Sequence, residues 1–189
     1  MFILRLLIVF FAWSNLLYAD DTLAYEEEGK VAIKELAMSL KKSLKTVLKE
    51  SGPIVAVEYC NIAAVDITDR ISNSKSIFLK RTSLKVRNKD NVATSWEKDV
   101  LNNFEDRKRL GESVNSIDYK EVYIDNNNKS FFRYMKAIPT GKVCLTCHGS
   151  NIKSNLRTRI NELYPEDKAY GFEIGDIRGA FTIQIPLSN

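Results

Sequence analysis

The sequence predicts an α+β domain in which long N-terminal helices pack on a mostly antiparallel sheet of four or five strands. Three features indicate this class. Apolar residues recur at three- and four-residue steps from residue 22 to about residue 71, and apolar and polar residues alternate in several later segments. The chain has 189 residues and is 44% hydrophobic, which suits a single domain with one core.

The first 20 residues, MFILRLLIVFFAWSNLLYAD, have the pattern of a secretory signal. Arg5 precedes an apolar run from Leu6 to Trp13, and the small residue Ala19 precedes Asp20. We expect residues 1–19 to be removed, which leaves one domain over residues 20–189 in the periplasm or another extracytoplasmic space. The alternative is an uncleaved membrane anchor, although the run is short for a span of about 20 residues.

Two helices are predicted next. Residues 22–50 carry one apolar stripe, and Ser51-Gly52-Pro53 is expected to end that helix. The second helix covers residues 54–71, and Cys60 lies in the middle of its apolar face. That face comprises Ala56, Cys60, Ala63, Ala64, Ile67 and Ile71.

The remaining elements are predicted from changes in the spacing of the apolar residues along the chain. Residues 77–86 read as a strand with Ile77, Leu79 and Arg81 on one face, and a short helix follows near Trp96. Segments 121–124 and 130–138 form a predicted hairpin, and a last helix covers residues 156–163. Segment 179–187 is the closing strand, and glycines 171, 175 and 179 are assigned to turns before or at its start.

The stretch Val143-Cys-Leu-Thr-Cys-His-Gly149 fits C-x-x-C-H, the attachment signature of c-type haem. Two thiols three residues apart can form thioethers with the two vinyl groups on one porphyrin edge. The imidazole that follows then falls under the iron as an axial ligand. Cys144 and Cys147 are thus the predicted attachment sites of one haem c, with His148 as iron ligand. The predicted signal segment agrees, because this haem is attached outside the cytoplasm.

Three other uses of the pair Cys144/Cys147 remain open. A thioredoxin-like redox pair normally lies where a strand enters a helix, whereas this pair is expected on a loop after Pro139. A zinc site would need Cys60 as fourth ligand beside His148. A structural disulfide would not require His148 at all.

The second axial ligand must come from another residue type, because His148 is the only histidine. The candidates are Met38, Met135, a lysine and Cys60, or the position is open. Met135 lies nine residues before Cys144. Cys60 is favoured because it is an odd thiol in an oxidising compartment and lies among alanines that let a flat macrocycle approach the helix.

Several stretches resemble a bacterial and cyanobacterial family of small c-type haem domains of PAS-like fold, long described as a domain of unknown function. The resemblance covers nearly the whole mature chain and rests on GPIVAVEYCNIAA (52–64), FLKRTSLKVRN (78–88), SWEKDVLNNFE (95–105), FFRYMKAIPTGKVCLTCHG (131–149) and LYPEDKAYGFEIGDIRGAFTIQIPL (163–187). It implies a PAS-like antiparallel sheet of about five strands and iron held between His148 and Cys60. Segment 88–97 departs from the family by lacking the Pro-Asp pair before Trp96.

A thiolate ligand stabilises ferric iron, so a low reduction potential is expected. Arg81 and Arg87 are candidates to contact the haem propionates. Electron transfer and redox or gas sensing are equally compatible functions, each with an unidentified redox or signalling protein as partner. No catalytic constellation accompanies the haem motif, so an enzyme is not predicted.

The overall charge of +4 gives no reason to expect nucleic acid as a partner, since the sequence has no block rich in lysine and arginine. The lysines at 41, 42, 45 and 49 are interpreted as the solvated face of a helix.

Overall fold

The computed structural model describes the backbone of residues 3–187 and the side chains of residues 22–187. The side chains of the predicted signal segment, residues 1–19, lie outside the described part. Along the chain the elements are α1 (Ile3–Lys75), β1 (Phe78–Thr82), α2 (Ser95–Arg109), β2 (Asp118–Ile124), β3 (Ser130–Pro139), α3 (Leu145–His148), α4 (Ser154–Leu163) and β4 (Ile177–Pro186), with 3-10 turns at Lys89–Asn91 and Lys142–Cys144. None of the helices, within the described residues, is both long and apolar enough to span a membrane.

The four strands form one antiparallel sheet in the order β1-β4-β3-β2. The α+β class is therefore confirmed, but the expected count of about five strands was one too high. The residues between β1 and β2 form a 3-10 turn, α2 and a loop, and those between β3 and β4 form short helices and glycine turns. Neither connection retains a segment long enough and regular enough to add a fifth strand.

The sheet buries both of its faces, because a helix covers each side. One face packs against α1, and its core comprises Ala32, Ile33, Leu36, Ile67, Ile71, Ile77, Leu79, Phe132, Tyr134, Phe181, Ile183 and Ile185. The other face packs against α2 through Ala93, Val100, Leu101, Phe104, Val114, Ile117, Met135, Ala137, Ile177 and Ala180. In β3 the alternation is clear, because Phe132 and Tyr134 belong to the first cluster and Met135 and Ala137 to the second.

The predicted break at Ser51-Gly52-Pro53 is confirmed as a kink that divides α1 into two helical halves. Gly52 adopts φ 77° and ψ −179°, a non-helical conformation that kinks the helix, and helical geometry resumes after it. Glycine tolerates this left-handed φ without a steric penalty, and Pro53 takes up the first position of the second half, where its missing N–H is harmless. The two predicted helices are thus the two halves of one kinked helix.

The strand predicted over 77–86 is shorter in the structure and ends at Thr82, whereas the later elements lie close to their predicted positions. The capping box of Thr94 and Glu97 starts α2 at Ser95, one residue before Trp96. Asp125 closes the β2–β3 hairpin, because its Oδ1 accepts hydrogen bonds from the backbone N–H groups of Asn127 and Lys129, each at 2.8 Å. Helix α4 and strand β4 extend the predicted segments by two residues at their N-terminal ends.

Gly179 is where β4 approaches the end of β1 most closely. Its φ is 151°, and a Cβ at this position would lie 2.2 Å from the carbonyl oxygen of Thr82. Only a residue without a side chain allows the two backbones to meet here.

We predict that Gly179→Ala lowers the free energy of unfolding by at least about 2 kcal/mol through this backbone clash. Gly29→Ala is the control, since its Cβ would only touch Tyr134 at 3.5 Å within a helix, and it should raise stability by about 0.5–1 kcal/mol. Urea unfolding monitored by circular dichroism measures both. Equal stability of the Gly179→Ala variant and the parent chain would show that this close approach is wrong.

Candidate functional site

The C-x-x-C-H stretch lies on two consecutive helical turns after β3 rather than on an open loop. The 3-10 turn Lys142–Cys144 leads directly into α3, Leu145–His148. Gly149 is the C-cap of α3, and its N–H donates to the carbonyl oxygen of Leu145 at 3.0 Å. Glycine fits this position because a Cβ would lie 2.8 Å from the same oxygen. This local geometry holds both cysteines and the histidine on one short segment.

His148 is half-buried and is oriented by one hydrogen bond. Its Nδ1 lies 2.7 Å from the carbonyl oxygen of Ala169. A carbonyl can only accept, so Nδ1 carries the proton and Nε2 keeps a free lone pair. Burial lowers the pKa of His148 well below its ordinary value, and the positive charges of Arg178 and Arg87 add to this effect. The imidazole is therefore neutral, with the tautomer that a metal-ligating histidine uses.

Arg87, a predicted propionate contact, lies between the C-x-x-C-H stretch and the segment from Asp167 to Ala169. Its Nε and Nη2 donate to the two carboxylate oxygens of Asp167 at 3.2 and 3.1 Å. Nη2 also donates to the carbonyl oxygens of Cys147 at 2.6 Å and Ala169 at 3.3 Å. The guanidinium thus joins the end of the C-x-x-C-H stretch to the segment that carries the acceptor of His148.

Arg81 has a different environment from Arg87. It pairs with Phe181 in the sheet register and points to the face that α1 covers. Its Nε is buried and has no hydrogen-bond partner among the described residues. Burial lowers the pKa of Arg81, while the nearby Cys60 and Tyr164 partly offset that effect. A buried cation with an unused donor next to the candidate site fits an anionic group.

Cys60 lies on the second half of α1, on the side that faces the C-x-x-C-H stretch. Val57, one turn earlier, packs in a cluster with Leu156 and Ile160, and the partly buried Cys147 packs against this cluster. Burial raises the pKa of the Cys60 thiol, and Arg81 and then Arg87 oppose this increase. The pKa of Cys147 is likewise raised by burial, and Cys60 contributes to it in the same direction.

All three cysteines are free thiols. Arg87 acts electrostatically on Cys60, Cys147 and His148, and Arg81 acts on Cys60 and His148, so these five residues share one neighbourhood. The described part of the chain contains no group of three or more His, Cys, Asp or Glu side chains arranged to hold a single metal ion.

The two methionine candidates lie elsewhere. Met135 is completely buried in the cluster between the sheet and α2, on the opposite face of the sheet from Arg81. Met38 is 61% exposed on the first half of α1. Neither is grouped with the cysteines and His148.

Sequence reasoning missed several residues of this site. The acceptor of His148 was missed because it is the backbone carbonyl of Ala169, which has no side-chain signature. Asp167 was missed because nothing in the sequence distinguishes it from the other acidic residues. Arg178 was also missed: it donates to Ser83 Oγ at 3.3 Å, and burial together with Arg87 and Arg81 lowers its pKa to about 10. The ring of Phe172 meets the His148 ring edge-on, with centroids 6.3 Å apart. The run from residue 163 to 179, already part of the sequence resemblance, was the only signal for these contacts.

Comparison with known proteins agrees with the sequence resemblance. The model of the Tll0287-like family matches residues 21–186. The crystal structure of the cyanobacterial heme-protein Tll0287 is similar to this chain with a TM-score of 0.63 and 27% sequence identity, covering 85% of this chain and 95% of that chain. No curated protein matches the sequence significantly. Because the family model spans almost the whole described chain, this chain belongs to the Tll0287-like family.

Proposed function

We propose that the chain is an exported c-type haem protein with one haem, which is bound covalently by Cys144 and Cys147 and whose iron is held between His148 and Cys60. The observation that carries this proposal is the neutral His148, whose Nδ1–H is fixed on Ala169 while Nε2 remains free. Two free thiols lie on the same segment, and Cys60 on α1 is close enough to Cys147 to contribute to the raised pKa of that thiol. The membership of a family that includes a heme-protein supports the same conclusion.

The residues present fit a haem. Each thiol of Cys144 and Cys147 adds across a vinyl group, so that an S–H bond is replaced by C–S and C–H bonds without a change of oxidation state. The buried, unused Nε of Arg81 suits a propionate. Arg87 uses its Nε and Nη2 on Asp167 and on backbone carbonyls, so we assign it to positioning of the motif.

The proposed His148/Cys60 ligation determines the electronic properties of the iron. Burial raises the pKa of the Cys60 thiol, so the bound metal itself is needed to keep it ionised at neutral pH. When bound, the haem supplies one-electron redox chemistry and, after loss of a ligand, a position for a diatomic gas. A thiolate at Cys60 would stabilise ferric iron through its negative charge. His148, as a neutral imidazole, would bind the iron without adding a charge.

We favour redox or gas sensing over electron carriage. Cys60 belongs to α1, which also packs on the sheet, α3 and α4. A change of ligand at Cys60 would therefore act directly on the longest helix of the protein, and a signalling protein is the proposed partner. The PAS-like class and export to the periplasm belong to the same proposal, supported by the helix-covered antiparallel sheet and by the N-terminal sequence pattern.

Covalent attachment is the first test. We predict that the chain produced with the haem-attachment machinery gains the mass of one haem and gives a c-type pyridine haemochrome spectrum. Cys144→Ala and Cys147→Ala should each shift that spectrum toward one with a free vinyl group, since one thioether is lost. A protein that carries no haem after this maturation contradicts the proposal.

The second test concerns the axial ligand. Cys60→Ser should move the ferric Soret band, abolish thiolate-to-iron charge transfer and raise the potential by on the order of 0.1 V, within the roughly 0.8 V over which axial ligands set haem potentials. Met135→Leu is the matched control and should change neither spectrum nor potential. The reverse pattern would assign the ligand to Met135.

Gas binding separates sensing from carriage. Carbon monoxide added to the reduced protein should replace Cys60 and increase hydrogen exchange in residues 54–75, because the helix loses its anchor on the iron. The Cys60→Ser protein should bind carbon monoxide without this additional exchange. Inertness to carbon monoxide and nitric oxide, combined with fast electron exchange, would favour the carrier.

A further inference from the structure

A cavity of about 330 Å³ lies on the α2 side of the sheet, between α2, the chain after β1 and the loop before β4. Its floor is apolar, because Leu101, Phe172 and Ile177 are buried there. Leu101 and Ile177 belong to the cluster that α2 covers, whereas Cys60 is part of α1, which covers the other face. The cavity is at the small end of the roughly 300–1,000 Å³ of ligand pockets, so it suits a small molecule.

Phe172 forms the wall between this cavity and the C-x-x-C-H stretch. Its backbone N–H donates to the carbonyl oxygen of His148 at 3.0 Å, and its ring meets the His148 ring edge-on. The cationic groups of Lys85 and Arg178 lie 5.2 and 5.1 Å from the centre of the Phe172 ring. The wall is therefore held in place by the protein itself, and a ligand meets a preformed surface.

Four charged side chains line the cavity, and two of them neutralise each other. Lys108 Nζ pairs with the carboxylate of Asp176 at 2.5 Å, and that carboxylate also accepts the backbone N–H of Glu173 at 2.8 Å. The ammonium group of Lys85 and the carboxylate of Glu105 form neither an ion pair nor a hydrogen bond with any residue that the structure describes. The cavity thus offers one cation and one anion for a ligand.

Glu105 is the less solvated of these two groups. Its side chain is half-buried, whereas Lys85 is exposed at the opening of the cavity. Burial raises the pKa of Glu105, and Asp176 adds to this increase, although Lys108 and Lys85 oppose it. A carboxylate that has lost water without gaining a hydrogen bond is stabilised by a donor that enters the cavity, and most strongly by a cationic one.

We propose that the cavity binds a free α-amino acid with an apolar side chain. The ammonium group of the ligand binds Glu105 and its carboxylate binds Lys85, while its side chain covers the apolar floor. A ligand with a single charge satisfies only one of these two residues, and an uncharged ligand satisfies neither. This binding function is additional to the proposed haem chemistry and does not depend on it.

Isothermal titration calorimetry of the mature holoprotein with L-leucine, L-valine and L-phenylalanine tests the proposal. We expect a dissociation constant of about 0.1 mM for the best of the three, since so small a ligand has few atoms with which to bind. Isocaproate, which is leucine without its ammonium group, and isoamylamine, which is leucine without its carboxylate, should each bind at least about tenfold more weakly than leucine. Each leaves one charged side chain of the cavity without a counter-charge.

Two outcomes of this titration overturn the proposal. One is the absence of binding by all three amino acids at concentrations up to about 10 mM. The other is an affinity for isocaproate or isoamylamine that equals the affinity for leucine. The heat of binding is measured independently of haem attachment, so either failure leaves the proposed haem function unaffected.

Substitutions test the two assigned contacts. Glu105→Gln and Lys85→Met should each weaken leucine binding by at least about tenfold, because each removes one charge that the ligand meets. Asp106→Asn and Lys89→Met are the matched controls, since Asp106 and Lys89 are exposed and do not line the cavity, and they should bind leucine like the parent chain. Equal affinities of the cavity variants and their controls would show that the assigned contacts are wrong. Circular dichroism and the Soret spectrum verify that each variant is folded and loaded.

Discussion

The buried ion pair between Arg87 and Asp167 is the interaction on which the rest of the site depends. The side chains are only 10% and 1% exposed, so neither charge is well solvated. Asp167 also accepts a hydrogen bond from the backbone N–H of Ala169 at 2.9 Å, and the carbonyl of Ala169 in turn accepts the Nδ1–H of His148. The ion pair, formed by residues 80 positions apart in the chain, therefore sets the orientation of His148 by holding Ala169 in place. Loss of Asp167 would leave the buried charge of Arg87 uncompensated, which typically costs about 3–5 kcal/mol. After loss of Arg87, the carboxylate of Asp167 would retain Arg157, whose Nη1 lies 3.6 Å away.

The guanidinium of Arg87 also holds the C-x-x-C-H stretch at Cys147. Its short hydrogen bond to the carbonyl of Cys147 ties α3 to the segment after α4. Arg178 and Arg81 add two further, half-buried cations, and Arg178 also donates to the carbonyl of Lys85 at 3.2 Å. Such a concentration of positive charge around a neutral imidazole favours an anionic species nearby. The proposed thiolate of Cys60 and the propionates of the proposed haem are species of this kind.

The parts of this arrangement that sequence predicts are those with a local signature. The spacing of Cys144, Cys147 and His148 follows from one helical turn, and the position of Cys60 on an apolar face follows from helical periodicity. Contacts formed by backbone atoms have no such signature, which is why the role of Ala169 was not predicted. Proximity along the chain was misleading for Met135, because alternate residues of a strand point to opposite faces and this one points toward α2. The Gly-Pro pair at 52–53 breaks the helical geometry where the sequence predicts it, and both halves of α1 contribute residues to the core against the sheet.

The central claim is that the iron of the bound haem is held between His148 and the sulfur of Cys60. X-ray absorption at the iron edge of the ferric holoprotein tests it most directly, because a sulfur ligand and a nitrogen or oxygen ligand scatter differently. With this ligation the native protein has one sulfur scatterer in the first coordination shell of the iron, which disappears in the Cys60→Ser protein and is retained in the Met135→Leu protein. A first shell of light atoms alone in the native protein, or a sulfur that persists after removal of Cys60, would contradict the account.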